Sequence, residues 1–168
     1  MWDQAAKSDR RRLQQFTCTT DPERDAYNRP FPHPRPWEKE VQSSIRTLHL
    51  PAKKLNSIRI RSESADDPIS AVVSLRQEAA PDVFHLQLIA VSLDLRKQGG
   101  AVADEAFTEA SQECAAISGL EQGATLFVTA NIHSDNQASI YMAERNLMER
   151  TGIQIAGDYE EWLTEIVI

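Results

Sequence analysis

The sequence predicts a single α/β domain, and two kinds of pattern lead to that prediction. Short β-rich runs that alternate apolar and polar residues, such as Phe84–Val91, are typical of strands. Other segments have apolar residues every three to four positions, which is typical of one buried helix face. The clearest such set is Val102, Ala106, Ala110 and Cys114. Strands that alternate with helices in a chain of 168 residues predict one α/β domain.

The first part of the chain is predicted to form an arm followed by a helix. Residues 1–16 favour a short helix, although Leu13–Cys18 could instead form the first strand. Residues 19–35 carry four prolines and favour extended backbone, which predicts an arm laid over the domain or a lid. Pro36 then suits the first position of a helix. The apolar stripe of that helix is Trp37, Val41, Ile45 and Leu48.

We therefore divide the chain into an N-terminal arm, residues 1–35, and a main domain, residues 36–168, within one domain overall. The main domain is predicted to continue with alternating elements. Its predicted strands are Leu55–Arg61, Ile69–Arg76, Phe84–Val91, Gly123–Ala130 and Glu160–Ile168. A capping box at Ser134–Gln137 predicts the start of the last helix, and Gly152 is a suitable residue for its end.

Composition and charge exclude several classes of protein. With 25 acidic and 18 basic residues the net charge is −7, which argues against nucleic-acid binding. No apolar run reaches the roughly 20 residues that cross a bilayer, and no secretory signal pattern opens the chain. We therefore expect a cytoplasmic protein without a membrane partner. Cys18 and Cys114 lack metal-ligand spacing, so we expect no metal site and a packed thiol at Cys114.

One loop has the composition of a phosphate-binding site. Arg96-Lys-Gln-Gly99-Gly100-Ala101 joins the strand that ends at Val91 to the start of a helix, where free backbone N–H groups attract anions. Walker A and dinucleotide loops are excluded, because their required Gly-Lys-Ser/Thr and third glycine are missing. Taken alone, the segment could equally be a glycine-rich turn with a solvated Arg-Lys pair.

The same residues resemble a known family. Arg96-x-x-Gly99-x-Ala101 resembles the R/Q-x-x-G-x-G/A loop that binds the acyl-CoA pyrophosphate in the GNAT N-acetyltransferase superfamily. Asn136-Gln-Ala-Ser139 resembles the N-x-x-A/S that opens a later helix of that family, and the element order matches over about residues 69–168. The resemblance implies a mixed, mostly antiparallel central sheet flanked by helices in three layers, the GNAT acyl-CoA N-acyltransferase fold.

The resemblance also implies an enzyme: an N-acetyltransferase that moves an acetyl group from acetyl-CoA to a primary amine by direct attack. The acceptor, a small molecule or a peptide, is not identified by the sequence. Acetyl-CoA would bind along one strand edge, the loop and the next helix. The residues implied are Ile89, Ala90, Val91, Arg96, Lys97, Gln98, Gly99, Gly100, Ala101, Val102, Asn136 and Ser139.

Several residues are candidates for the chemistry. The Val91 N–H would polarise the thioester carbonyl, as the resemblance implies. His85 lies where histone-acetyltransferase-like members carry a glutamate base, and it shares strand parity with Ile89 and Val91 if the strand is regular. Asn131 and His133, which follow the next strand, are alternatives for orienting a water or the substrate.

The chain departs from the family pattern at two positions. The tyrosine that serves many members as the acid falls at Ala143, and Tyr141 lies on another side of the helix, so it cannot simply inherit that role. Leu147-Met148 also replaces the usual Gly-Phe. These departures favour an alternative, a CoA-binding regulatory or interaction module with weak or no turnover.

Two further features concern partners. Trp37, Tyr159 and Trp162 would either line an aromatic acceptor pocket or pack in the core. The terminal strand Trp162–Ile168 could pair across two copies of the chain, which would give a homodimer.

Overall fold

The computed structural model describes residues 1–52, 54–96 and 100–168. Helices and strands alternate along most of these ranges, as the sequence predicts. The helices are α1 (Arg10–Gln15), α2 (Pro36–Thr47), α3 (Ala101–Ser118) and α4 (Gln137–Arg145). The strands are β1 (Trp2–Gln4), β2 (Asn56–Arg61), β3 (Ala71–Gln77), β4 (Val83–Val91), β5 (Thr125–His133), β6 (Glu149–Ile155) and β7 (Tyr159–Val167).

The strands form one sheet in the order β1-β2-β3-β4-β5-β7-β6. Every described pair is antiparallel except β4–β5, which is parallel. The chain crosses from β4 to β5 through α3, because parallel neighbours need a long connection. The predicted mixed, mostly antiparallel sheet is confirmed.

Helices cover both faces of the sheet and bury a core on each side. One core lies under α3 and α4, where Phe107, Ala110 and Ile140 pack on β4, β5 and Trp162 of β7. The other lies under α1 and α2, where Leu13 and Ile45 contact β2 and β3. We call these two sides the α3 face and the α2 face. The three-layer arrangement is therefore confirmed.

The two cysteines lie in different cores, and both are free thiols. Cys114 packs under α3 and Cys18 packs on the α2 face. None of the helices in the described part of the chain is long and apolar enough to span a bilayer.

An irregularity in β4 changes which side each of its residues faces. Ser74 of β3 pairs with Leu88, and the next residue, Leu75, pairs with Leu86, so Gln87 is an extra residue in β4. Such a bulge reverses the alternation of side chains along the strand. Leu86 lies in the α3-face core before the bulge, whereas Leu88 packs on the α2 face after it.

The N-terminal residues form more structure than the sequence predicts. β1 pairs with β2 at one edge of the sheet, so the arm supplies the first strand of the same sheet. The strand alternative for Leu13–Cys18 is wrong, because α1 occupies Arg10–Gln15 and Leu13 is buried from that helix. Pro36 is the first residue of α2, as predicted.

The boundaries of α4 differ from the prediction at both ends. Its N-cap is Asn136, whose side chain accepts the Ser139 N–H at 3.3 Å, so the capping box at Ser134 is wrong. The helix ends at Arg145, and Leu147 rather than Gly152 adopts the left-handed backbone that follows it, with φ +59°. Gly152 lies within β6, a strand that the sequence analysis did not predict.

Candidate functional site

The parallel pair β4–β5 separates part of the way along its length. Pairing runs from Val83–Phe127 to Leu86–Ala130 and stops there, directly before the Gln87 bulge. Beyond this point both strands continue, to Val91 and His133, and both line a cleft of about 520 Å³ between them. The bulge thus accompanies the opening of the sheet, because an extra residue bends and twists its strand.

Backbone amides of β4 point into the cleft. Hydrogen bonds in an antiparallel ladder alternate along a strand. The Ser92 N–H donates to the Ser70 carbonyl at 2.8 Å, so Ser92, Ala90 and Leu88 face β3. The backbone groups of Ile89 and Val91 therefore face the open side, where β5 no longer pairs with them. An extended ligand arm could pair with this edge as a strand would.

Three helices begin at the cleft. Residues of the first turns of α2, α3 and α4 all line it, and the positive ends of the helix dipoles therefore converge there. These residues are Trp37, Glu38, Val102, Ala103, Ala138 and Ser139. The first amides of α3 have no partner within their own helix. This end of the cleft is suited to an anion such as a phosphate.

The start of α3 is in close contact with Arg145. Gly100 caps the helix with φ +86°, and a Cβ placed there would lie 2.7 Å from Nη2 of Arg145. The positive φ favours glycine, and a Cβ at this position would make the flexible end of Arg145 move away. Ala101 begins the helix, and Val102 lines the cleft. The predicted ligands Lys97, Gln98 and Gly99 lie outside the described residues.

Arginines from three separate segments line the same end of the cleft. Arg96 Nη1 donates to Glu38 Oε1 at 2.5 Å, and Arg35 Nη1 lies 3.1 Å from the same oxygen. Arg145 of α4 binds Asp104 at 2.9 Å. Among the described residues, these three guanidinium groups and two carboxylates leave one net positive charge, in a chain whose net charge is −7.

Asn136 and Ser139, the pair that resembles the family motif, lie together at the start of α4. Asn136 Nδ2 donates to Ser139 Oγ at 2.8 Å, and both residues line the cleft. Tyr141 also lines the cleft but is 57% exposed. Ala143, at the family's tyrosine position, is fully buried in the core. This position therefore offers no acid.

His85 does not share a face with Ile89, and the parity argument for it is wrong because of the Gln87 bulge. Its side chain lies with Thr129, one pair before the cleft opens, and it is not among the residues that line the cleft. His85 Nδ1 is 3.0 Å from Thr129 Oγ1. Thr129 Oγ1 also lies 3.4 Å from the Phe84 carbonyl oxygen. In the tautomer in which His85 Nδ1–H donates to Thr129 Oγ1, the lone pair of the ring is on Nε2.

The pKa of His85 is lowered, chiefly by burial and secondarily by Arg76. The ring is therefore neutral at pH 7. A neutral imidazole with a free Nε2 lone pair has the protonation state that a general base requires.

His133 lies in the cleft but has the wrong nitrogen available for a base. The Asp135 N–H donates to His133 Nδ1 at 3.1 Å, so the neutral ring carries its proton on Nε2. The ring stacks on Trp37 with centroids 4.4 Å apart, and the edge of Tyr159 approaches at 5.2 Å. His133 and Asn131 line the cleft and are thus placed to contact a ligand.

Tyr159 connects this aromatic group to α2. Its hydroxyl donates to Glu40 Oε2 at 3.0 Å, and burial and Glu40 raise its pKa to about 12. The sequence allowed two roles for each of Trp37, Tyr159 and Trp162, lining a pocket or packing in the core. In the structure Trp37 and Tyr159 line the cleft, whereas Trp162 packs in the core under α3.

Three residues of the cleft were missed by sequence reasoning: Arg35, Glu38 and Arg145. Each lies far along the chain from the loop it accompanies, and none belongs to a recognisable motif. Among the described residues, no group of three or more His, Cys, Asp and Glu side chains could hold a metal ion.

Comparison with solved structures identifies the fold of the chain. No protein-family model matches the sequence. No curated protein matches it either. Solved structures do match over the whole chain, at 9% to 13% identity in the three described next.

Aminoglycoside 6′-acetyltransferase type Ii matches with a TM-score of 0.67 at 9% identity, over 100% of this chain and 98% of its own. A variant of spermidine N-acetyltransferase SpeG from Vibrio cholerae gives 0.60 at 11%, over 98% and 92%. The ribosomal-protein-S18-alanine N-acetyltransferase of Escherichia coli gives 0.59 at 13%, over 100% and 93%. The chain therefore has the fold of the GNAT acetyltransferases.

Proposed function

We propose that this chain, built on the GNAT fold, is an N-acetyltransferase that transfers an acetyl group from acetyl-CoA to a primary amine. The observation that carries the proposal is the opening between β4 and β5, with the N-termini of α2, α3 and α4 around it. An extended donor with a polyanionic end fits this opening, because free strand amides line its length and positive groups line its end.

The chain supplies a separate contact for each part of such a donor. The amides at the start of α3, with Arg96, would bind the pyrophosphate, and the backbone of Ile89 and Val91 would pair with the amide groups of the arm. Asn136 and Ser139 would contact the thiol end. Acetyl-CoA supplies the activated acetyl thioester. The Val91 N–H would donate to its carbonyl oxygen, where a fixed donor typically contributes roughly 3 kcal/mol to a transition state.

The amine must lose a proton to attack. We assign this step to His85 in the tautomer that carries its proton on Nδ1 and its lone pair on Nε2, and the lowered pKa keeps the ring neutral. Because His85 lies just before the opening, its Nε2 would receive the proton through an intervening water. Asn131, which lines the cleft on β5, would orient that water or the amine.

The acceptor would approach from the α2 face. Glu161 is the cross-strand partner of Asn131, and Glu40 lies at the Tyr159 hydroxyl. Carboxylates on this side favour a cationic amine over an anionic acceptor. Tyr141 as the acid towards the leaving thiol stays a prediction, which a Tyr141→Phe variant would test by its effect on kcat.

The first experiment is calorimetric titration with acetyl-CoA, beside an Arg96→Glu, Gly99→Asp double variant. Micromolar binding that the variant loses supports the proposal and leads to a panel of amines assayed by thiol release. Binding without turnover on any amine would favour the alternative, a CoA-binding regulatory module. A folded protein that binds no acetyl-CoA would refute both.

A further inference from the structure

Three segments of the chain meet at one buried carboxylate. Glu38, in the first turn of α2, has a side chain that is only 7% exposed. Its Oε2 accepts a hydrogen bond from Thr19 Oγ1 at 2.7 Å, and its Oε1 binds both Arg96 and Arg35. Thr19 and Arg35 belong to the arm, whereas Arg96 belongs to the loop before α3. Glu38 and Arg96 are 58 residues apart in the sequence, and Glu38 thus connects the loop to the arm.

The charges in this cluster do not balance. One carboxylate faces two guanidinium groups, and a buried carboxylate needs only one cation for neutrality. The Arg35 side chain is 54% exposed and the Arg96 side chain 30% exposed, and both line the cleft. Each guanidinium has five N–H donors, and most of the Arg35 donors have no partner among the described residues. The second arginine therefore presents free donors and surplus charge to the cleft.

We propose that Arg35 binds the phosphate groups of the acyl donor beside Arg96, and that Glu38 is the positioning residue that holds both arginines. The inference rests on the proposed function and adds a donor contact from outside the loop. Arginine suits this role, because its planar group binds phosphate oxygens in pairs.

Position favours the donor's phosphates over an anionic acceptor. Arg96 is the first residue of the loop that leads to the N-terminus of α3, and Arg35 contacts the same Glu38 oxygen. The N-terminus of α2 begins one residue after Arg35 and adds positive potential at this point. The carboxylates of Glu40 and Glu161 lie elsewhere, at Tyr159 and beside Asn131, on the side from which we propose that the acceptor approaches.

The test compares two donors in four proteins. Acetyl-CoA carries the phosphates, whereas acetylpantetheine has the same thioester and arm without them. The variants are Arg35→Gln, Arg35→Lys and the control Arg29→Gln. Arg29 is also an exposed, ion-paired arginine of the arm, but it binds Asp25 outside the cleft.

Arg35→Gln should lower kcat/KM for acetyl-CoA about tenfold, the size of one charge-assisted hydrogen bond, and leave acetylpantetheine unchanged. Arg35→Lys should recover part of the loss, and Arg29→Gln should match the wild type. An equal fall for both donors, or no fall for either, would overturn the inference.

Glu38→Asp tests positioning. Its shorter side chain should raise KM for acetyl-CoA severalfold with kcat unchanged, whereas a purely structural role would lower kcat and thermal stability together. Calorimetric binding of CoA and pantetheine reports the same discrimination if turnover is slow. Wild-type protein that binds no CoA would refute the proposed function and this inference together. Normal CoA binding by both wild type and Arg35→Gln would refute this inference alone.

Discussion

A single inserted residue determines what His85 can do. Gln87 reverses the alternation of β4, so His85 faces the α2 side while Ile89 faces the α3 side. A regular strand would have placed both side chains on the same face of the sheet. The bulge instead places His85 on the α2 side, from which we propose that the amine approaches.

His85→Gln should lower kcat by about 100-fold, a typical size for general base catalysis. The wild-type rate should fall as the pH drops through the His85 pKa, because the protonated ring cannot accept a proton. Since that pKa is lowered, the fall should lie below the ordinary histidine value near 6.5. The measurement is kcat/KM against pH.

His133→Gln is the matched control, because the lone pair of His133 Nδ1 is occupied by a backbone N–H. It should change the rate by less than the His85 variant and keep the acid limb of the profile. An unchanged acid limb in His85→Gln would rule out His85 as the base.

Substitution of Gly100 should have two separable effects, one on stability and one on acetyl-CoA binding. Gly100→Ala should cost about 1 kcal/mol of stability, since φ is +86°, and should weaken acetyl-CoA binding, since its Cβ would displace Arg145. Gly119→Ala is the control: φ is +69° but nothing lies within 4 Å of its Cβ. It should show the same loss of stability in urea unfolding and unchanged binding. Equal binding by the two variants would contradict the role of the Gly100 contact.

At the scale of elements, α4 ends on an unfavourable residue. Leu147 follows the helix with φ +59° and is 80% exposed, so its side chain gains little from burial. Leu147→Gly should therefore stabilise the protein by about 0.5–1 kcal/mol, because glycine adopts this conformation without strain. Urea unfolding measures the change.

Leu147→Ala is the control for that prediction. Alanine keeps the Cβ that causes the strain, so this variant should gain much less stability than the glycine variant. Equal gains for both would mean that loss of the exposed leucine side chain, rather than relief of backbone strain, is responsible.

The elements that periodicity determines were predictable from the sequence. The alternation of Phe84–Val91 indicates a strand and the apolar stripe of α3 indicates a helix with one buried face, and both elements form. The Gln87 bulge was not predictable, because register with β3 decides it. β6 was missed for a related reason: its residues are almost all exposed, so no apolar pattern marks the strand.

The candidate site divides in the same way. The loop Arg96–Ala101 and the Asn136–Ser139 pair are local motifs, and their described members line or border the cleft. The Glu38 cluster and Arg145 are not local, since ion pairs across 41 and 58 residues leave no pattern in the chain. Packing alone brings them to the loop.

At the scale of the whole molecule, one sheet separates two cores, and each core holds one cysteine. Burial raises the pKa of Cys18, and it raises that of Cys114 to about 12. A buried thiol with a raised pKa reacts with alkylating agents only when the protein opens. Reactivity at each cysteine therefore reports the opening of its own side of the sheet.

Both cysteines should become reactive at the same urea concentration, because the two cores share the strands between them and a single domain unfolds cooperatively. Pulse labelling with iodoacetamide across a urea series, read by mass spectrometry, measures this. Labelling of Cys18 at a lower urea concentration than Cys114 would show that the N-terminal side opens independently.

The short parallel pairing has a mechanical consequence. In the described sheet, the strands β1–β4 are joined to β5, β7 and β6 only through the pairing of β4 with β5. That pairing covers four residue pairs, less than half the length of β4 or of β5. The described sheet thus consists of two antiparallel groups of strands that are joined only by the short β4–β5 pairing. A ligand arm bound between the unpaired ends of β4 and β5 would add hydrogen bonds there and resist rotation of one group of strands against the other. We therefore expect the bound molecule to hold the two groups of strands together, so that its release and an increase in motion between β4 and β5 occur together.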